Sequence, residues 1–212
     1  STSLSGNIIK DIKEDSKGNI WIATDKGLSK YDKNLELFIN YFLPSPQGNK
    51  TDKIEVIYVN KDDKVLAGGN FGLLLFDPKT ELYSNNFFSN FEEITSENYY
   101  VNSIKTFSDD LVLVATSKKG LYVLDLQNKA LSPLKNNETI QNEITKIQSV
   151  VLKDSTIWVG TYGNGLFKLN RSGIIKRHFH VGASNSDYKL SDDYIRTLQI
   201  DSNDLWIGTF KG

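Results

Sequence analysis

NIWIATDKGLSKYD, residues 19–32, is the stretch that decides the fold, because close variants of it return four times. They are VLAGGNFGLLLFD (65–77), LVLVATSKKGLYVLD (111–125), TIWVGTYGNGLFKLN (156–170) and DLWIGTFKG (204–212). Anchored on their glycines Gly27, Gly72, Gly120, Gly165 and Gly212, the copies are spaced by 45, 48, 45 and 47 residues. Repeats of about 40 to 50 residues, each holding several short strands, mark the blades of a β-propeller. The chain therefore reads as all-β, with four-stranded antiparallel blades.

The first copy predicts its strands most directly. Ile8, Ile9 and Ile12 form an apolar first strand, Asp15 to Asn19 a turn, and Ile20 to Thr24 a second strand. Asp25 to Gly27 turn the chain again, Leu28 to Tyr31 form the third strand and Leu35 to Phe42 the fourth. β-Branched and aromatic residues suit such pleated, half-buried segments. The repeat glycine is expected at positive φ, closing the turn between strands two and three. Copies three and four carry one extra residue there (Ser117 to Lys119, Tyr162 to Asn164).

Trp21, Trp158 and Trp206 stand six or seven residues before the glycine, with Leu66 and Leu113 in that place in the other copies. A large apolar residue once per blade is what packing between neighbouring sheets needs, so the tryptophans read as core rather than as ligand platforms. By repeat boundaries the blades are 1–45, 46–91, 92–135, 136–183 and the first half of a fifth at 184–212, all of one propeller domain.

Of 212 residues, 39% are apolar and 24% charged, ordinary for a globular protein. Twenty-five basic against 26 acidic residues leave a net charge of −1, which gives no field for nucleic acid or an anionic membrane. Cysteine is absent, which excludes thiol catalysis and thiolate metal sites. No apolar run approaches the ~18 to 20 residues of a membrane span, and no signal peptide is legible. Methionine is absent too, so the chain is expected to begin within a longer gene product or after processing. Four and a half blades cannot close a ring, so the chain is expected to be a fragment of a larger propeller. Its open ends would pair with other chains.

LSGNIIKDIKEDSKGNIWIATDKGLSKYD (4–32) resembles the regulator-propeller repeat of Bacteroidetes hybrid two-component systems, and LSDDYIRTLQIDSNDLWIGTFKG (190–212) follows the same pattern. Copies two and three depart from it, with Leu66 and Leu113 for Trp and Gly68-Gly69 for the Ala-Thr or Gly-Thr pair. The resemblance implies a periplasmic sensor region of an inner-membrane protein. There, seven-bladed propellers precede a membrane helix, a histidine kinase, a receiver and often a DNA-binding domain, so the resemblance implies that this incomplete stretch of blades belongs to a seven-bladed ring. It also implies sensing of polysaccharide-derived oligosaccharides, induction of glycan-utilisation genes and dimerisation through the intact sensor. Nucleic acid and membrane would be contacted only by other domains, and no cofactor is implied.

The loops entering strand one and joining strands two and three share one propeller face. They offer Asn70 and Phe71 in blade two, and Asn98, Tyr99 and Tyr100 before blade three. Tyr162, Gly163 and Asn164 lie in blade four, and Asp192, Asp193, Tyr194 and Arg196 at the opening of blade five. Tyrosine faces stack on pyranose rings while Asn, Asp and Arg bond hydroxyls, and an Arg fork suits a carboxylate or sulfate. The alternative is that these tyrosines pack over blade edges and that Arg196 lines the channel.

Asp15-Ser16-Lys17-Gly18-Asn19-Ile20-Trp21 resembles the Asp box of sialidase-like propellers, with Lys13 where a Ser or Thr would precede it. Its Asp is read as a turn cap. Asp201, Asn203 and Asp204 read as a hairpin turn rather than a calcium loop. His178 and His180, the only histidines, share a strand face and are read as solvated rather than metal-binding. Recognised nucleophile and metal-hydrolase motifs are missing. A sensor module leads; a propeller glycosidase or lyase and a non-catalytic scaffold remain the alternatives.

Overall fold

A threonine and a glycine set the turn between the second and third strands of three blades, and the computed structural model, which describes residues 3–43, 53–84 and 100–211, shows how. The Thr24, Thr116 and Thr161 hydroxyls donate to the carbonyls of Gly27, Gly120 and Gly165 at 2.8–3.0 Å. Each also accepts a turn amide, from Lys26, Lys119 and Asn164. Gly27, Gly72, Gly120 and Gly165 all have positive φ (72° to 141°). Gly69 replaces the threonine in copy two, and that turn closes on the glycine alone. Gly212 lies outside the described residues.

The residues divide into two compact units, Ser1–Val101 and Asn102–Gly212. The first holds two antiparallel meanders. One is β1 (Ile9–Glu14), β2 (Ile20–Thr24), β3 (Gly27–Asp32) and β4 (Leu37–Tyr41). The other is β5 (Ile54–Val59), β6 (Val65–Gly69), β7 (Gly72–Asp77) and β8 (Leu82–Ser84).

The second unit has two more such sheets. They are β9 (Val101–Ser108), β10 (Leu111–Thr116), β11 (Gly120–Asp125) and β12 (Ala130–Pro133), then β13 (Ile147–Lys153), β14 (Thr156–Thr161), β15 (Leu166–Asn170) and β16 (Ile175–Phe179). A pair, β17 (Ile195–Asp201) and β18 (Asp204–Thr209), follows. Four-stranded up-and-down sheets in series are the blades of a propeller.

Within each unit the core lies between consecutive sheets. In the first, Trp21, Leu28, Ile54, Ile57 and Phe76 are buried together, with Tyr41 and Tyr83 packed against them. The rings form a ladder: Trp21 to Tyr41 at 6.0 Å, Tyr41 to Phe76 at 4.6 Å and Phe76 to Tyr83 at 4.8 Å. Burial raises the Tyr41 phenol above its usual value, with the charges of Glu81 and Asp32 adding to it. In the second unit Leu113, Leu121, Ile147, Val159 and Phe167 make one core, and Val151, Leu166, Ile195 and Leu198 make the next.

A side chain on the first strand of one blade also accepts an amide from the first strand of the next. Asp11 takes the Ile57 amide at 3.1 Å, Ser103 that of Val150 at 3.3 Å and Ser149 that of Leu198 at 3.2 Å.

The structure corrects several expectations. The first strand begins at Ile9, and Ile8, Ile9 and Ile12 are about half exposed, since no described sheet covers that side. The fourth strand is shorter than expected, and Leu35 and Phe42 are exposed beyond its ends. Of the tryptophans, Trp21 is 1% exposed, Trp158 is partly buried, and Trp206 is 64% exposed. The cause is graded packing: the aromatics of β4 and β7 cover Trp21, whereas β17 and β18 cover only part of Trp158 and no described residues cover Trp206. A helix, α1 (Asn137–Glu143), also precedes β13, where only strands were expected. Its Ile140 is fully buried, and the Asn137 side chain accepts the Leu121 amide at 2.7 Å.

Candidate functional site

The first strands carry a recurrent β-bulge near their N-terminal ends. In β1, β5, β13 and β17 the ladder skips Lys10, Glu55, Gln148 and Arg196, which lie between paired Ile9 and Asp11, Ile54 and Val56, Ile147 and Ser149, and Ile195 and Thr197. An unpaired bulge residue is re-aimed out of the sheet's alternation, which is why bulges recur beside functional sites. The sequence signal is an isoleucine followed by a charged or amide residue at the same place in each of these first strands, outside the strand-turn-strand unit that marks the repeat.

In the first unit this places Lys10 and Glu55 together. Glu55 pairs with Lys10 at 3.3 Å and Lys53 at 2.8 Å and accepts the Tyr100 hydroxyl at 2.5 Å. Burial alone would raise the Glu55 carboxyl. Hydrogen bonds from Lys53 and Tyr100, with the charges of both lysines, outweigh it and hold the group below the usual range. Burial and then Glu55 push the Tyr100 phenol up to about 12. Tyr100 is thus a member of a charge network rather than a free stacking face. Phe71 is partly buried against the core at Gly69, where an added Cβ would come within 2.9 Å of the ring. Asn70 is exposed at the β6–β7 turn, and Asn98 and Tyr99 lie outside the described residues.

The second unit brings the other candidates to one place. Tyr162 and Tyr194 form an isolated antiparallel bridge, with their rings edge to face at 5.0 Å. The Asp193 carbonyl accepts the Gly163 and Gly165 amides at 3.1 and 3.0 Å, tying the β14–β15 turn to the loop before β17. Gly163 has φ +100°, and the Tyr194 ring lies 3.3 Å from where its Cβ would be, so this approach needs a glycine. The Arg196 guanidinium lies over Tyr162 at 5.8 Å and over Phe210 at 5.0 Å. Tyr162, Tyr194 and Phe210 are 40%, 43% and 61% exposed. Phe210 was not singled out from sequence. Its place beside Arg196 is fixed by its amide donating to the Tyr194 carbonyl at 3.0 Å.

Asn164 is less free. Its carbonyl bonds His178 Nε2 at 2.7 Å, and its side chain donates to the Glu143 carbonyl at 3.2 Å. His178 is also stacked on Phe167 at 4.0 Å, with His180 4.7 Å away. The expected shared face is present, but His178 is packed rather than solvated. Among the described residues no group of three His, Asp or Glu could hold a metal.

Exposed rings beside a guanidinium, set on turns locked by backbone bonds, make a shallow platform of the kind that stacks on a sugar ring. The serial four-stranded antiparallel sheets define a β-propeller fold, and the Tyr162, Tyr194, Arg196 and Phe210 side chains form its candidate site. The model of the two component regulator propeller matches residues 3–26 and 189–211.

It is 26% identical over 201 residues to histidine kinase P4 of Formosa agariphila, covering 88% of this chain and 14% of the kinase. The extracellular domain of the hybrid two component system BT3049 from B. thetaiotaomicron is similar over 100% of this chain and 28% of that domain, at 22% identity and a TM-score of 0.77. That of BT4673 from the same organism is similar over 96% of this chain and 28% of that domain, at 19% identity and a TM-score of 0.69. The chain therefore spans less than a third of each of these relatives. Among the described residues no helix is long and apolar enough to cross a membrane.

Proposed function

We propose that the chain is a ligand-sensing segment of the extracytoplasmic propeller of a hybrid two-component sensor. It binds a polysaccharide-derived oligosaccharide and so induces glycan-utilisation genes. The observation that carries this reading is the face built by Tyr162, Tyr194, Arg196 and Phe210, the last three within residues 189–211, which match the regulator-propeller model. The nearby carboxylates Asp192 and Asp193 both accept backbone amides, which ties them into the loop that carries the face. Signalling requires that the ligand favour one arrangement of the sensor over another, so the intact protein is proposed to act as a dimer.

The test is a thermal-shift screen of this chain against di- to octasaccharides from plant, host and microbial polysaccharides, with chromatography for products. A ligand at about 100 times its dissociation constant adds ~2.7 kcal/mol of stability. Stabilisation without turnover, lost in Tyr194→Ala, supports the sensor. Turnover would make the chain an enzyme, and a flat screen would leave a scaffold.

A further inference from the structure

Arg196 is the one bulge residue whose charge and surroundings together point to a ligand group. Its neighbour Ile195 is fully buried and fixes the backbone, and its guanidinium is flanked by the Tyr162 and Phe210 rings. The two carboxylates of the preceding loop are otherwise engaged. Asp192, 5% exposed, accepts the Tyr194 amide at 3.3 Å and the Lys211 amide at 3.1 Å. Asp193 accepts the Val181 amide at 2.8 Å. Among the described residues nothing forms an ion pair or hydrogen bond with the Arg196 fork. In the first unit, by contrast, Lys10 at the same bulge position is neutralised by Glu55 at 3.3 Å. The two rings near the guanidinium, at 5.8 and 5.0 Å, restrict it before a ligand arrives, and with no described partner on its N–H groups it suits a planar or tetrahedral oxyanion.

Resting on the binding role proposed above, we infer that this face takes an acidic oligosaccharide. A uronic carboxylate or a sulfate ester is held by the Arg196 fork while Tyr194 and Tyr162 contact a pyranose face. A carboxylate and a sulfate ester present the same pair of oxygens to the fork, and matched probes separate them.

Titration calorimetry of the 212-residue chain would use tetragalacturonate against its methyl ester, a sulfated carrageenan tetrasaccharide against its desulfated form, and neutral cellotetraose. The anionic member of at least one pair is expected to bind about tenfold or more tightly than its neutral partner, with affinity falling as salt rises. Arg196→Gln should abolish that difference, whereas Arg196→Lys should keep part of it. Tyr194→Ala should weaken every sugar. Equal affinity within both pairs, or an unchanged preference in Arg196→Gln, overturns the acidic specificity while leaving the sugar-binding role standing. Absence of binding by all five probes overturns the acidic specificity, and the flat wider screen would then remove the sugar-binding role as well.

Discussion

Asp15 carries more of the first blade than any other polar residue. Its carboxylate accepts the Lys17 and Asn19 amides, the Asn19 side chain and the Trp21 indole N–H at 2.9–3.0 Å, so one group closes the turn and fixes the core tryptophan. Burial alone would raise its pKa, but the bonds from Asn19, Trp21 and Lys17 outweigh it and hold it below 3.8. A depressed carboxyl stabilises the fold above its unfolded value, and this contribution disappears as pH falls through the folded one. Asp15→Ala should cost about 2–3 kcal/mol in denaturant unfolding at neutral pH, and the gap between wild type and variant should narrow below about pH 4. Tyr100 works in the opposite direction. With its phenol raised from 10.0 to about 12, its contribution is present below the unfolded value and is lost as pH rises toward the folded one. Alkaline unfolding between those limits should therefore differ between wild type and Tyr100→Phe, and the variant should lose one late-titrating phenol by absorbance. The Asp15 role was legible from the box-like turn. The Lys10–Glu55–Tyr100 network was not, because it joins β1, β5 and the residue before β9, segments about 45 residues apart that only tertiary packing brings together.

At the scale of the element, the repeat predicts the second and third strands closely and the outer strands poorly. The central strands carry the Thr–Gly turn and the buried Trp or Leu position, so local chemistry and burial agree. Those outside them take their limits from what packs beside them. Trp21→Ala should cost about 3–5 kcal/mol, whereas Trp206→Ala, at a residue 64% exposed, should stay within about 0.5 kcal/mol. Gly165 sits at φ +72° with the Phe179 carbonyl against its Cβ position, so Gly165→Ala should cost ~1–3 kcal/mol or more by thermal melting. That substitution should also disturb the Asp193 bonds beneath the candidate site. α1 gave no sequence signal because its seven residues, NETIQNE, contain a single apolar side chain. Its place is set by Ile140 filling the core between the sheets around it.

For the molecule as a whole, the exposed apolar residues decide behaviour in solution. Ile8, Ile9 and Ile12, at and just before the first strand, and Trp206 and Phe210, on and just after β18, are each 48% exposed or more. Contiguous apolar surface beside an unpaired strand edge promotes association. Sedimentation velocity should show concentration-dependent self-association of this chain, reduced in Trp206→Lys and in Ile12→Lys. A monomer at every concentration would mean that these surfaces are too small or too well solvated to pair.

The sequence alone determined the blade period, the strand-turn-strand unit and the place of its glycine, because these depend on contacts within one repeat and are written out nearly five times. It also named Tyr162, Tyr194 and Arg196 among the loop positions of one face, together with Asn70, Phe71, Asn98, Tyr99, Tyr100 and Asn164, without separating the three from the rest. Tertiary structure decided the rest. It determined which tryptophan is core, by whether a neighbouring sheet supplies aromatics to cover it, and it engaged Asp192, Asp193 and Asn164 with backbone partners. It also placed Phe210 against Arg196. Each of these depends on packing between segments tens of residues apart, where the same residue type is buried in one blade and exposed in another.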